Sequence, residues 1–387
     1  MAKTIRKASS GRRARLFMIG WVWTLPLWSF AATTDLLELP AKMSGNASRA
    51  IMLAASMAGK RMLVAGERGI VLYSDDRGKS WNQGYVPVSV TLTALYFVNA
   101  RTGWATGHDG VVLRSDDAGK SWTKQLDGYR ANAMARAEIE ARVQQARAAL
   151  EQGGDHAARK QELERAQFAL DDVIAGAQFG PSRPLLGAWF DNERDGYVVG
   201  ANGQMLATRD GGRNWRSLGS ALNNPDALHY NAIGGGSGGQ KFIAGEGGKV
   251  YRGLRDDGWQ TLDTGYNGPL YGVLQLARQD GGEVLLAYGF GGRIFRSTDA
   301  GKSWLQVGQG LLGATLVAGV QLKNGTLVLL AQDGTLLQSQ DQGQSFISHA
   351  ARAGQRVAAM AALPDDSGLL VAGIGGARLI ALTKKNQ

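Results

Sequence analysis

The chain contains no cysteine and only four histidines among its 387 residues. The absence of cysteine excludes disulfide bonds and thiolate metal ligands. The histidines, at positions 108, 156, 229 and 349, are far apart and lack the short spacing of a metal-binding pair. We therefore predict that the protein holds no metal and no cofactor.

Glycine, by contrast, is abundant, with 55 copies. Many of them belong to a recurring pattern, Ser/Thr-x-Asp-x-Gly-x-x-Trp, which we call the box. The first three copies have their Asp and aromatic at Asp76 and Trp81, Asp117 and Trp122, and Asp210 and Trp215. Two later copies have Asp299 and Trp304, and Asp341 and Phe346, while Asp256 to Trp259 is a shortened relic. The aromatics are 41 to 45 residues apart except for one step of 93.

A period of this length indicates a repeat architecture. Each box follows a short apolar strand that begins after a Gly-x-x-Gly turn, and two further strands precede that turn. We therefore predict an all-β fold, a seven-bladed propeller of four-stranded blades over residues 32–387. The seventh unit, residues 356–380, has no box, and we expect residues 36–40 to supply its outer strand and close the ring.

The box residues themselves are predicted to be structural. Glycine allows a positive φ in the turn, the Asp accepts hydrogen bonds from turn amides, and the aromatic packs between sheets. Because the copies fall on different blades, they cannot form one catalytic centre or metal site.

The long step between Trp122 and Trp215 contains a segment rich in Ala, Glu, Arg and Gln. Apolar residues recur there at steps of three and four on both sides of Gly153 and Gly154, and Asp155 is placed to cap a second helix. We predict an antiparallel helical, coiled-coil-like hairpin over residues 129–179, between blades 2 and 3. It either projects as an arm that grips another protein or folds onto the ring.

The first 31 residues contain six basic and no acidic residues and include the apolar run LFMIGWVWTLPLWSF. This order is typical of a secretory signal peptide, so we predict cleavage after Ala31 and a periplasmic location. The alternative is an uncleaved segment that anchors the chain to the inner membrane, although its 15 apolar residues fall short of the about 20 that span a bilayer. Beyond residue 31 the chain has 37 basic and 33 acidic residues, which gives little support for nucleic-acid binding.

Units such as FVNARTGWATGHDGVVLRSDDAGKSW resemble the photosystem II stability/assembly factor family, a branch of the BNR or Asp-box propellers. The resemblance implies a noncatalytic factor that assists the assembly of membrane complexes. It also implies, for a bacterial envelope branch, a transporter of the resistance-nodulation-division type as partner. The helical insert departs from the plant and cyanobacterial pattern and argues against a photosystem client.

We predict that partner contacts lie on the rim that carries the hairpin. The candidate residues are Arg68, His108, Asp109, Asn202 and Phe290 in the turns and Arg142, Arg147 and Arg165 in the hairpin. The alternative function is a glycoside hydrolase or carbohydrate-binding protein, for which two facing carboxylates would be needed. Its acidic candidates are Glu38, Glu67, Asp109, Asp191, Glu193 and Glu246, and Arg114, Arg252 and Arg296 occupy related strand positions that could line one surface.

Overall fold

A computed structural model describes residues 35–276, 282–311, 313–349 and 356–382. The predicted signal peptide lies outside these residues. In the described part of the chain, no helix combines the length and the apolar character needed to cross a membrane. The described residues form seven antiparallel sheets, which confirms the predicted seven-bladed propeller.

The strands follow one another in space as they do in sequence within every blade. Blade 1 contains β1 Met52–Ala58, β2 Arg61–Gly66, β3 Val71–Ser74 and β4 Asn82–Gln83, and blade 2 contains β5 Leu92–Phe97, β6 Gly103–Gly107, β7 Val112–Ser115 and β8 Thr123–Leu126. Blade 3 contains β9 Leu185–Phe190, β10 Gly196–Gly200, β11 Met205–Thr208 and β12 Arg216–Ser217, and blade 4 contains β13 Tyr230–Gly235, β14 Lys241–Gly245, β15 Lys249–Gly253 and β16 Gln260–Asp263.

The remaining blades repeat this plan. Blade 5 contains β17 Leu270–Leu276, β18 Val284–Gly289, β19 Ile294–Ser297 and β20 Leu305–Val307, and blade 6 contains β21 Leu316–Gln321, β22 Leu327–Ala331, β23 Leu336–Ser339 and β24 Ile347–His349. Blade 7 contains β25 Val357–Ala362, β26 Gly368–Gly373 and β27 Gly376–Ala381. Thus six described sheets have four strands and the seventh has three.

The ring closes by packing between blade 7 and blade 1. β1 lies beside β25, and Met52, Val64 and Leu72 share a core with Leu370 and Ala372. The side chain of Arg77 adds a hydrogen bond of 2.6 Å to Ser367 at this junction. The two ends of the described propeller are therefore joined face to face, as successive blades are elsewhere in the ring.

The prediction that residues 36–40 form the outer strand of blade 7 is wrong. These residues form a turn between blades 1 and 2, where the carbonyl of Leu36 accepts a hydrogen bond of 2.8 Å from the N–H of Ser89. Leu37 is buried against Val86 and Val88 of the link that joins the two blades. That valine-rich link offers Leu37 an apolar pocket, which decides where the segment lies.

Two helices form the predicted hairpin. Helix α1 is Gly128–Glu151 and helix α2 is His156–Ala177, and the carboxylates of Asp127 and Asp155 cap their N-termini. Val143, Ala146 and Ala166 are buried where the helices meet. The small alanine side chains let the two helices pack against each other closely.

The box aromatics fill the spaces between blades. Each one packs into the core shared with the preceding blade: Trp81, Trp122, Trp215, Trp259, Trp304 and Phe346 occupy six different inter-blade cores. The box Asp orients the turn that carries the aromatic. In blade 2, Asp117 accepts hydrogen bonds from the hydroxyls of Ser115 and Ser121, at 2.8 and 2.6 Å, and from the N–H of Ser121.

At four junctions, an arginine of one blade donates a hydrogen bond to the box turn of the next blade. The arginines and the carbonyls they reach are Arg61 and Ala118 (3.0 Å), Arg114 and Gly211 (2.9 Å), Arg252 and Ala300 (3.3 Å), and Arg296 and Gln342 (2.9 Å). Each accepting residue has a φ between 60 and 77°, a region that costs a non-glycine residue about 1 kcal/mol. At the three junctions where the acceptor is not glycine, namely Ala118, Ala300 and Gln342, the arginine thus helps to hold a strained turn in place.

Replacement of a box aromatic should destabilise the ring. Trp122 is 2% exposed, so Trp122→Ala should lower the free energy of unfolding by about 3–5 kcal/mol because it leaves a cavity. In the matched control, Leu305→Ala removes a side chain that is 68% exposed and should change it by less than about 0.5 kcal/mol. Urea denaturation measures both. Equal stabilities for wild type and Trp122→Ala would contradict the role given to the aromatic.

The box carboxylates should also make stability depend on acid. Hydrogen bonds from Ser80 lower the pKa of Asp76 to about 2, and bonds from Ser303 do the same for Asp299. Since the folded pKa lies below the usual value of about 3.9, the ionised Asp stabilises the fold above about pH 4. That contribution is lost as the pH falls towards 2. The stability gap between wild type and Asp299→Asn should therefore narrow from pH 4 to pH 2, and a gap that stays constant would show that the prediction is wrong.

Candidate partner-binding surface

The hairpin and the Gly-x-x-Gly turns lie on the same face of the ring, which we call the arm face. Helix α1 begins beside the turn of blade 2, where the backbone of Gly128 lies against Gly110. The boxes lie on the opposite face, because a box turn follows the third strand and a Gly-x-x-Gly turn precedes it. We call this opposite face the box face.

A channel of about 610 Å³ runs between the inner strands and includes Phe290 of the arm face in its wall. Its shape follows from a β-bulge that recurs at the start of the inner strand in all seven blades. In each blade the second residue of the inner strand is the bulged one, and it lines the channel: Leu53, Thr93, Leu186, Asn231, Tyr271, Val317 and Ala358. Bulges re-aim side chains in this way.

The residue after each bulge is alanine or glycine: Ala54, Ala94, Gly187, Ala232, Gly272, Ala318 and Ala359. Small residues are needed there because seven strands converge on the axis. None of the described side chains that line the channel is charged. The channel therefore suits apolar or neutral polar groups of a partner.

The predicted turn residues lie in the arm-face turns of blades 1, 2, 3 and 5. Arg68, Asp109 and Asn202 occupy equivalent positions, with φ values of 54, 56 and 54°. His108 and Phe290 share the preceding position of the turn, and Phe290 is 55% exposed beside the channel. The structure thus places the five residues on one face but does not gather them into one cluster.

Asp109 is the predicted turn residue whose environment is most unusual. It lies at the base of the hairpin, and partial burial raises the pKa of its carboxyl, although His108 opposes this shift. Asp35 adds to the rise by repulsion, and Tyr129 donates a hydrogen bond of 3.3 Å to Asp35. The base of the hairpin thus carries negative charge next to an exposed tyrosine.

The base of the hairpin is fixed to the ring. Ala131 and Met134 belong to the core between blades 2 and 3. The N–H of Ser220, in the link after blade 3, donates a hydrogen bond of 2.9 Å to Glu138. The hairpin is therefore rooted on blades 2 and 3 over its first ten residues.

The three predicted arm arginines differ in their surroundings. Arg142 donates hydrogen bonds of 3.0 and 2.6 Å to Glu162 and so joins the two helices. Arg147 and Arg165 are exposed. Helix α2 also exposes Phe168, at 76%, which the sequence did not single out.

Comparison with known proteins places this architecture in a family. The family model described as "Photosynthesis system II assembly factor YCF48" matches residues 179–386, which is more than half of the chain. The chain belongs to this family. None of the curated proteins searched matches it.

Solved structures share the fold of this YCF48-family chain. "YCF48 bound to D1 peptide" has a TM-score of 0.59 at 16% identity and covers 89% of this chain and 100% of its own. "YCF48 from Cyanidioschyzon merolae" has a TM-score of 0.57 at 14% identity and covers 87% and 96%. The WD40 β-propeller domain of Doa1 has a TM-score of 0.58 at 11% identity and covers 91% and 98%. At these sequence identities, each structural similarity is evidence for the fold alone.

The acidic residues of the hydrolase hypothesis are divided between the two faces. Glu67 and Glu246 lie in arm-face turns, where their carboxylates accept hydrogen bonds from the N–H groups of Ile51 and His229, at 2.8 and 2.9 Å. Asp191 and Glu193 lie in a loop at the other end of blade 3. A carboxylate of the first pair therefore cannot flank one glycosidic bond together with a carboxylate of the second pair.

Arg114, Arg252 and Arg296 occupy equivalent strand positions, as their spacing predicts. The side chain of each, however, donates a hydrogen bond to the box turn of the blade that follows it. They lie at three separate junctions, so they do not form one surface that would bind a carboxylate group.

A charged pocket of about 550 Å³ on the box face was missed by the sequence analysis. It lies where the box of blade 4 is a relic, and Asp256 of that relic pairs with Arg209 and Arg216 of blade 3. Beneath them, Lys241 is buried and bonds to Asp191 at 2.7 Å, while burial raises the pKa of Tyr197 to about 12. The incomplete box at Asp256 was the sequence signal that could have predicted this pocket, because an Asp outside a complete box turn can pair with other side chains.

The separation of the carboxylates leads to a simple expectation. The purified protein should not hydrolyse a panel of aryl glycosides above the rate of a buffer blank. Turnover that disappears on Glu67→Gln or Asp191→Asn, with the protein still folded by circular dichroism, would contradict the prediction that the protein is noncatalytic.

Proposed function

We propose that this protein is a noncatalytic factor that binds a protein of the cell envelope through the arm face and helps to assemble a membrane complex. The observation that carries the proposal is the placement of the hairpin and the uncharged channel wall on one face. Family membership supports it, because the family is named for an assembly factor and one solved structure with this fold is YCF48 bound to a D1 peptide.

The chemistry of the arm face suits a protein partner. Exposed aromatic and arginine side chains contribute most strongly to protein interfaces, and this face offers Phe290, Phe168, Arg147 and Arg165. The channel adds a neutral cavity in which apolar side chains of the partner would lose their contact with water.

The location and the partner belong to the same proposal. The order of charged, apolar and small residues in the first 31 positions supports export to the periplasm, with an uncleaved inner-membrane anchor as the alternative. A transporter of the resistance-nodulation-division type is the proposed partner. Protease protection of the propeller in intact spheroplasts would contradict the location, because a periplasmic domain is cleaved there.

The structure allows the hairpin to be shortened without loss of its root. Removal of residues 142–164 and their replacement by a short glycine loop keeps Ala131, Met134 and Glu138, which fix the base. We expect this variant to melt close to the wild type, because the removed part contributes mainly contacts between the two helices. It removes Arg142 and Arg147 but keeps Arg165, Phe168 and Phe290, so it should bind the partner more weakly.

Crosslinking followed by mass spectrometry in intact envelopes measures that binding. The control is Leu305→Ala, which changes an exposed side chain away from the arm face and should give the wild-type crosslinks. The same crosslinked partners at the same yield for the shortened variant would refute the role of the hairpin.

A further inference from the structure

The outer edge of β27 (Gly376–Ala381) differs from the edge of every other third strand. In the other six blades the third strand pairs with a fourth, whereas β27 has no fourth strand among the described residues. The N–H of Leu382 donates to the carbonyl of Ser367, on the side of β26. Because inward and outward residues alternate in an antiparallel ladder, Ala377, Leu379 and Ala381 direct their N–H and carbonyl groups to the open edge.

Among the residues that the structure describes, the core beside this edge also lacks an aromatic side chain. Each of the other six inter-blade cores contains a box aromatic of the following blade. The described core between blades 6 and 7 has only aliphatic side chains, and Ile380 and Leu382 remain half-buried at its outer end. The place that a box aromatic and an outer strand would cover is therefore apolar and partly exposed.

A third feature of the same edge is an arginine in an apolar position. The residue equivalent to Arg378 is large and apolar in the other six blades: Leu72, Leu113, Leu206, Tyr251, Phe295 and Leu337. Nε of Arg378 is buried and has no hydrogen-bond partner. A buried donor without an acceptor lowers the stability of the fold. A ligand that places a carboxylate or carbonyl oxygen beside Nε of Arg378 would therefore bind more tightly.

From these three observations we propose that the open edge of β27 binds an extended segment of the partner protein as a fourth strand of blade 7. The segment places a large apolar side chain against Ile380 and Leu382 and a carboxylate beside Arg378. Main-chain hydrogen bonds supply the affinity of such strand addition, and the side chains supply its specificity. This inference rests on the proposed function, because it requires a protein partner.

The alternative occupant is another segment of this chain. Residues 35–44 do not reach the edge, since Leu37 is buried between blades 1 and 2 and the N–H of Ser44 donates to Gln83 of blade 1. We commit to a segment of the partner as the occupant, because no described segment of this chain supplies an acceptor for the buried Nε of Arg378. Any part of the same chain that already filled the edge would prevent an added peptide from binding.

The outer strand of blade 2 supplies a defined probe. In that blade Trp122 fills the core, and Lys124 lies opposite Leu113, the equivalent of Arg378. A fluorescent peptide KSWTEQLD copies residues 120–127 with glutamate in place of Lys124. The peptide KSWTKQLD is its matched control. Fluorescence anisotropy with the full-length protein measures binding of both.

We expect saturable binding of KSWTEQLD, about two- to fivefold tighter than that of KSWTKQLD because of one partly exposed ion pair. Ala381→Pro removes an outward N–H at an exposed position and should weaken binding at least tenfold, whereas Ala381→Val keeps the N–H and should not. Arg378→Leu should abolish the preference for the glutamate peptide. Thermal melting of each variant establishes that it is folded.

Two results would overturn the inference: no saturable binding of either peptide, or equal binding by the Ala381→Pro and Ala381→Val variants. Either result would leave the proposed function standing if crosslinks to the partner still depend on the hairpin. Conversely, peptide binding at β27 together with crosslinks that do not depend on the hairpin would contradict the proposed function alone.

Discussion

The contact between a box aromatic and the preceding blade is the interaction on which the rest of the structure depends. A single four-stranded sheet cannot bury both of its faces, and it becomes stable only between two neighbours. The aromatic closes the outer part of six of the seven spaces between the described blades, while the buried second strands, such as β6 (Gly103–Gly107), fill the middle. The box Asp and, at four junctions, an arginine of the preceding blade hold the turn that presents the aromatic. The surfaces for binding follow from this frame, since the frame fixes which loops share a face.

The box face and the arm face differ in chemistry because different loops of each blade lie on them. The box face is built from turns whose polar groups satisfy one another, so its side chains are largely committed to the fold. The arm face carries short turns and the links between blades, and a link can lengthen into a 24-residue helix and a 22-residue helix without disturbing the sheets. Long insertions at such links are usually functional. The box is a relic in blade 4 and absent in blade 7. Each of these two blades has a buried charged group: the side chain of Lys241, which pairs with Asp191, and Nε of Arg378, which has no hydrogen-bond partner.

The repeat made the blades predictable because the box is a local signal: its Asp, Gly and Trp act within eight residues. Helix capping by Asp155 is local in the same way. The position of residues 36–40 was not predictable, because the core that buries Leu37 includes Val86 and Val88, which lie far away in the sequence, and no local pattern marks that contact. The arginines include both a feature that the sequence predicts and one that it does not. The equivalence of Arg252 and Arg296 could be read from spacing, but that each serves a different junction follows only from the ring.

The channel residues such as Leu53 and Tyr271 were not predicted from the sequence, because a bulge, not a residue type, directs their side chains towards the axis.

The central claim, that the arm face binds the partner, is tested most directly by a photocrosslinking amino acid placed at Phe290 and, separately, at Ile347, which is 64% exposed on the outermost strand of blade 6. Ultraviolet irradiation of intact envelopes followed by mass spectrometry identifies what each position touches. We predict a discrete crosslink to an envelope protein from position 290 and none from position 347. Crosslinks from 347 with none from 290 would contradict the account.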